Sequence, residues 1–71
     1  MNYTMADLFA FMDSERVVKV TDDEGNTYVG QCWAYGSVQN LEEYGVEEPS
    51  LDIGPGNILF ASEIEKIEFV D

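Results

Sequence analysis

A chain of 71 residues with 45% apolar side chains and a formal net charge of −12 is one small folded domain, residues 1–71, and not a disordered tail. Fifteen acidic residues stand against three basic ones, Arg16, Lys19 and Lys66. That balance weighs against general DNA or RNA binding, which draws most of its affinity from cations that displace counterions from phosphates. A single cysteine, Cys32, and no histidine exclude an intramolecular disulfide and leave no Cys/His set for structural zinc.

A domain this short buries only about 60% of the surface its unfolded chain exposes. Without disulfide or zinc, assembly is the expected way to bury more. No stretch approaches the roughly 20 apolar residues of a membrane span. The start MNYTMADLFAFMDSER lacks the basic head and unbroken apolar run of a secretory signal, so with a free thiol the expectation is a cytoplasmic protein.

In chain order, Met5, Leu8, Phe9 and Met12 fall on one helical stripe. Thr4 is placed to cap it, with Asp7 near the positive end of the dipole. The spacing predicts a helix over 4–12 that covers the open end of a core, with Phe11 off the stripe and free for a second contact. The β-branched run VVKVT predicts a strand over 16–21, and DDEGN a turn with Gly25 at positive φ. The acids of that turn lack the alternating ligands of an EF-hand, so no metal is expected there.

TYVGQCWAY predicts one long strand over 26–35. Tyr28, Gly30 and Cys32 share one face, and Val29, Gln31 and Trp33 the other. A core-facing Tyr35 then requires a bulge after Cys32. Gly30 marks a bend or a close approach. Residues 36–49, GSVQNLEEYGVEEP, read as a long exposed loop. Strands follow over 50–53, 57–61 and 65–70, with SEI as one tight helical turn. Ile58 with Phe60, and Ile67 with Phe69, are the expected core pairs.

A capping helix and five short strands, the second strongly bent, resemble the Sm-like (LSm) family. Gly25, Tyr28, Gly30, Cys32, Tyr35 and Asn40, followed by apolar Leu41, match the spacing of its first motif, and Pro55-Gly56-Asn57-Ile58-Leu59-Phe60 matches its second except at the arginine. The likeness spans nearly the whole chain. It implies an all-β fold: a five-stranded, strongly bent Sm-like or SH3-like small barrel with an N-terminal capping helix. It also implies rings of six or seven subunits, formed where the fourth strand of one subunit pairs with the fifth of the next. Gly36 replaces the family's aspartate, Val38 a stacking side chain and Pro55 the arginine. The barrel-forming positions are kept and most base-reading positions are lost.

No catalysis and no cofactor are expected. General acid–base chemistry favours histidine, Cys32 has no partner base, and Ser37 and Ser50 have no triad context. Two binding readings remain. In the first, Trp33, Tyr35 and Tyr44 stack on a base, Asn40 and Asn57 read its edge, and backbone N–H groups near Gly54 and Gly56 hold a phosphate. The ligand is a small nucleotide or short RNA, which a compact phage-type anti-defence sponge would sequester. In the second, Glu42, Glu43, Glu47 and Glu48 form an acidic module that meets a basic protein partner and mimics nucleic acid.

Overall fold

The computed structural model describes residues 2–54 and 56–70. Helix α1 (Met5–Asp13) leads into strands β1 (Val18–Asp22), β2 (Thr27–Gly30) and β3 (Cys32–Tyr35). Helix α2 (Ser37–Tyr44), β4 (Ser50–Ile53), β5 (Ile58–Phe60), a 3-10 turn (Ala61–Glu63) and β6 (Ile64–Phe69) complete the order. The strands form two antiparallel three-stranded sheets, ordered β2-β1-β6 and β3-β4-β5.

The N-terminal helix starts as its sequence dictates. Thr4 Oγ1 accepts from Asp7 N at 3.1 Å, and Asp7 Oδ2 accepts from Thr4 N at 2.9 Å, so two otherwise orphaned N–H groups satisfy each other's cap. Leu8 is fully buried, with Phe9 and Met12 packed against the core, and Met5 stays exposed at the helix start. Phe11 makes the second contact. Its ring lies 6.1 Å from Tyr3 and 5.3 Å from Phe69, centroid to centroid, which ties the helix to β6.

Segment 27–35 serves both sheets. Thr27–Gly30 pairs with β1, from Thr21↔Thr27 to Val18↔Gly30. Past Gln31 the chain turns and pairs with β4, from Cys32↔Ile53 to Tyr35↔Ser50. The predicted second strand is therefore two, and the five-strand expectation becomes six. The bend does not disturb the two-residue alternation: Cys32 and Ala34 are buried, and Val29, Gln31 and Trp33 are exposed. No bulge separates Cys32 from Tyr35, so Tyr35 stays on the outer face. A Cβ on Gly30 would meet Ile53 at an ordinary 3.5 Å, so the bend and not a close approach distinguishes this position.

The all-β expectation is corrected in two further respects. Among the described residues the two sheets do not close into a barrel. Within the predicted loop 36–49 lies α2, bracketed by Gly36 and by Gly45 in the left-handed region at φ 74°. Gly45 N–H bonds to Leu41 O, a helix ending that glycine permits cheaply. The expected core pairs also change. In β5, Leu59 faces the core while Ile58 and Phe60 face outward. In β6, a register shift opposite Thr21 and Asp22 lets Ile64 and Ile67 both enter the core, and Phe69 moves to the rim. An apolar run with two apolar faces does not announce which face is buried.

The β1–β2 turn closes on Asp22. Its Oδ1 accepts from Asn26 N (2.8 Å) and Glu24 N (3.0 Å), and its Oδ2 accepts from Tyr28 Oη (3.1 Å) and Asn26 Nδ2 (3.2 Å). Gly25, at φ 86°, supplies the left-handed step. Burial is the largest single influence on this carboxyl and pulls its pKa up. The bonds from Asn26, Glu24 and Tyr28 together outweigh it and hold the pKa below the ordinary value of 3.8. A depressed folded-state pKa contributes stability that is complete above the unfolded value and lost as pH falls through the folded one. Asp22→Asn replaces one acceptor oxygen with a donor. The stability gap between wild type and Asp22→Asn is expected to be full at about pH 6 and to shrink below about pH 4, as urea titrations at a series of pH values will show.

Candidate functional site

Helix α2 lies across one end of the outer face of the β3-β4-β5 sheet. Between them is a cavity of about 260 Å³. Tyr35 and Tyr44 form walls, Asn40 and Ser50 the floor, and Gln39, Glu43 and Ile58 the remaining lining. Tyr44 is held edge-on to Phe60, with ring centroids 5.9 Å apart at 84°. Glu43 follows Gln39 by one helical turn, so both polar groups reach the same rim.

The floor is rigid because its polar groups bond to one another. Asn40 is 2% exposed and Ser50 is 0% exposed. Asn40 Nδ2 donates to Glu48 O at 2.7 Å and to Ser50 Oγ at 2.9 Å. One side chain thus fastens α2, the segment after it and β4 together, and both its amide protons are spent. The groups left to meet a ligand are the tyrosine rings, the Gln39 amide and the Glu43 carboxylate.

The structure therefore brings together three of the six sequence-derived ligand candidates, Tyr35, Asn40 and Tyr44. Trp33 sits on the same sheet face but lines a separate cavity of about 350 Å³. Gly56 and Asn57 lie in the β4–β5 turn, where Asn57 O accepts from Ile53 N, and they do not line the cavity under α2. Pro55, at the position of the missing arginine, lies outside the described residues. Of the acidic candidates, Glu42, Glu43 and Glu47 are exposed. Glu48 is half-buried, and its Oε1 accepts from Ser62 N at 2.9 Å.

Gln39, Ser50 and Ile58 were not among the ligand candidates read from the sequence, where Ser50 was weighed only as a nucleophile and Ile58 only as a core residue. Gln39 becomes visible as a site residue only once α2 is known to be a helix. Burial raises the pKa of the Cys32 thiol, which keeps it protonated and poorly nucleophilic. Among the described residues no cluster of His, Cys, Asp and Glu could hold a metal ion, and no helix is long and apolar enough to cross a membrane.

Asn40→Ala leaves Ser50 and the Glu48 carbonyl without their donor inside the protein. The expected cost is about 1–3 kcal/mol of stability. Protection of the α2 amides against hydrogen exchange should fall further than that of β1, because α2 has few other tethers.

Comparison with protein families, curated proteins and solved structures finds no match to this chain.

Proposed function

We propose that this chain is a non-catalytic binding domain of Sm-like type, and that its cavity under α2 takes the base of a small nucleotide or short RNA. The observation that carries the reading is the pair of tyrosines flanking polar groups on a rigid floor. Tyr35 stands on a strand and Tyr44 is steadied by Phe60, so a planar ring entering between them loses little to ordering the site. Stacking on an aromatic side chain contributes about 1–3 kcal/mol per base. The Gln39 amide both donates and accepts, and the Glu43 carboxylate accepts, which suits the edge of a base. The net charge of −12 repels phosphate, so the phosphate end points to solvent.

The Sm-like reading draws support from three features: the strand shared by two sheets, the helix packed over the core, and the short 3-10 turn before β6. Ring assembly draws support from the outer edges of β5 and β6, which pair with no strand among the described residues. The register turns the backbone groups of Ile58, Phe60, Ile67 and Phe69 outward. Two of these groups, and the neighbouring carbonyl of Glu65, have side-chain contacts. Phe60 N donates to Glu63 Oε1 at 3.2 Å, Ile67 N donates to Tyr3 Oη at 2.8 Å, and Glu65 O accepts from Asn2 Nδ2 at 3.2 Å. Inter-subunit pairing must displace those contacts or run beyond them.

The second reading, an acidic module for a basic partner, rests on exposed Glu42, Glu43 and Glu47. Native mass spectra and the 260/280 nm absorbance ratio of the purified protein separate the two. A closed ring carrying extra mass and excess 260 nm absorbance supports the nucleotide reading. Tyr44→Ala should then release the ligand or weaken it about tenfold or more. A bare monomer or dimer that gives no chemical-shift change at Tyr35 and Tyr44 with millimolar nucleosides overturns it. Loss of partner binding on changing Glu42, Glu43 and Glu47 to Gln favours the second reading.

A further inference from the structure

The remaining part of the outer sheet face holds a second arrangement. Trp33, Asp52 and Ile58 lie side by side across β3, β4 and β5, since Trp33↔Asp52 and Asp52↔Ile58 are directly opposed. Directly opposed side chains on one face stand in contact range. Trp33 is 61% exposed, although an indole is among the largest apolar surfaces a chain can bury. Asp52 is half-buried, and its Oδ1 is shielded from solvent without any hydrogen-bond partner among the described residues. A shielded carboxylate oxygen with no donor is costly to a fold. Both residues line the cavity of about 350 Å³ at this end of the sheet.

From this juxtaposition we propose that Trp33 and Asp52 form a binding site for a basic side chain, an arginine guanidinium foremost, presented by a protein partner. The chemistry of the two residues is complementary to that group. The indole face attracts a cation through its quadrupole, and the planar guanidinium both stacks on an aromatic ring and donates in a fork to a carboxylate. The rest of the lining agrees in charge. Glu15 and Asp52 supply two carboxylates against one guanidinium, Arg16, and that guanidinium is stacked on Phe69 at 3.9 Å from the ring centroid. The chain's net charge of −12 draws basic partners toward every face, and the half-buried Asp52 carboxylate beside an exposed indole, free to turn about its Cβ–Cγ bond, selects where one arginine docks. Ile58 stands between the two cavities, which share no lining residue, so the site is distinct from the proposed nucleotide site and does not rest on it.

Trp33 is the only tryptophan, so its fluorescence reports this site alone. The probe is an N-acetylated, C-amidated Gly-Arg-Gly peptide, with Gly-Gln-Gly as control. The expected result is a saturable change in Trp33 emission with the arginine peptide alone, weakened about tenfold or more by Asp52→Asn and unchanged by Tyr44→Ala. A second variant, Asp52→Val, removes the unpaired oxygen and suits a strand. It should raise the Tm of the unliganded protein by a few degrees while abolishing the response, the signature of a residue kept for binding at a cost in stability. Equal responses to the two peptides overturn the proposal. So does an Asp52→Asn protein that binds the arginine peptide as tightly as wild type.

Discussion

One strand has to serve two sheets, and most of the molecule follows from that. Segment 27–35 pairs with β1 before Gln31 and with β4 after it. Because alternation survives the bend, a single two-residue period assigns every side chain of the segment to the core or to the outside. Cys32 and Ala34 reach the core, and Trp33 and Tyr35 reach the outer face, one at each cavity. A slip of one residue would exchange core and binding surface together. The four β3–β4 pairs from Cys32↔Ile53 to Tyr35↔Ser50, two facing the core and two the outer face, are therefore as much a constraint on the candidate sites as on the fold.

The outer face of the second sheet is where this chain spends its polar groups. A domain of this size has little apolar surface to spare, yet it buries Asn40 and Ser50 outside the main core. Both are satisfied by each other and by the Glu48 carbonyl, so their burial is tolerable. Asp52, two residues along the same strand, is treated differently, with one oxygen shielded and unpaired. The contrast between a closed polar network at Ser50 and an open one at Asp52, neighbours on the same face of β4, is what motivates the proposed arginine site. The outer strand edges show the same economy. Asn2 and Tyr3 cap backbone groups of β6 and Glu63 caps Phe60, which blunts edges that would otherwise recruit other strands indiscriminately.

Much of the fold was legible in the sequence, for identifiable reasons. The helix over 4–12, the DDEGN turn, the bent strand and the tight turn at SEI each carried a local signal that the packing reinforces: a stripe with a capping box, an aspartate before a glycine, an alternating run, a break between apolar strands. Helix α2 was obscured by turn formers and glutamates, although Val38, Leu41 and Tyr44 recur at helical spacing. Its caps are glycines, its side chains Val38, Leu41 and Tyr44 are largely exposed, and its one buried residue is Asn40. A helix whose apolar stripe faces solvent and whose anchor is a polar side chain does not announce itself by a buried face. The same gap hid part of the site. Tyr35 and Tyr44 were visible as aromatics, but Gln39 depends on α2, and Asp52 depends on a strand register that only pairing with Trp33 reveals. Asn40 was visible through the Sm-like spacing, and its packing shows a fastening role that spacing alone does not convey.

Charge sets the last constraint on what this surface does. Fifteen acidic residues create a field that concentrates cations around the whole molecule, but salt screens it beyond about 10 Å at 0.1 M. Long-range attraction therefore raises encounter rates and does not choose a position. Position requires a short-range feature whose free energy changes on contact. The exposed α2 glutamates are already solvated, so pairing them gains little. Asp52 Oδ1 is shielded from water and has no donor among the described residues, so on the proposed reading a guanidinium that turns the carboxylate toward itself recovers a cost that the fold already bears. In the proposed arginine site an acidic surface and the Asp52 carboxylate would thus play separate parts, the first in bringing a basic partner near and the second in fixing its register.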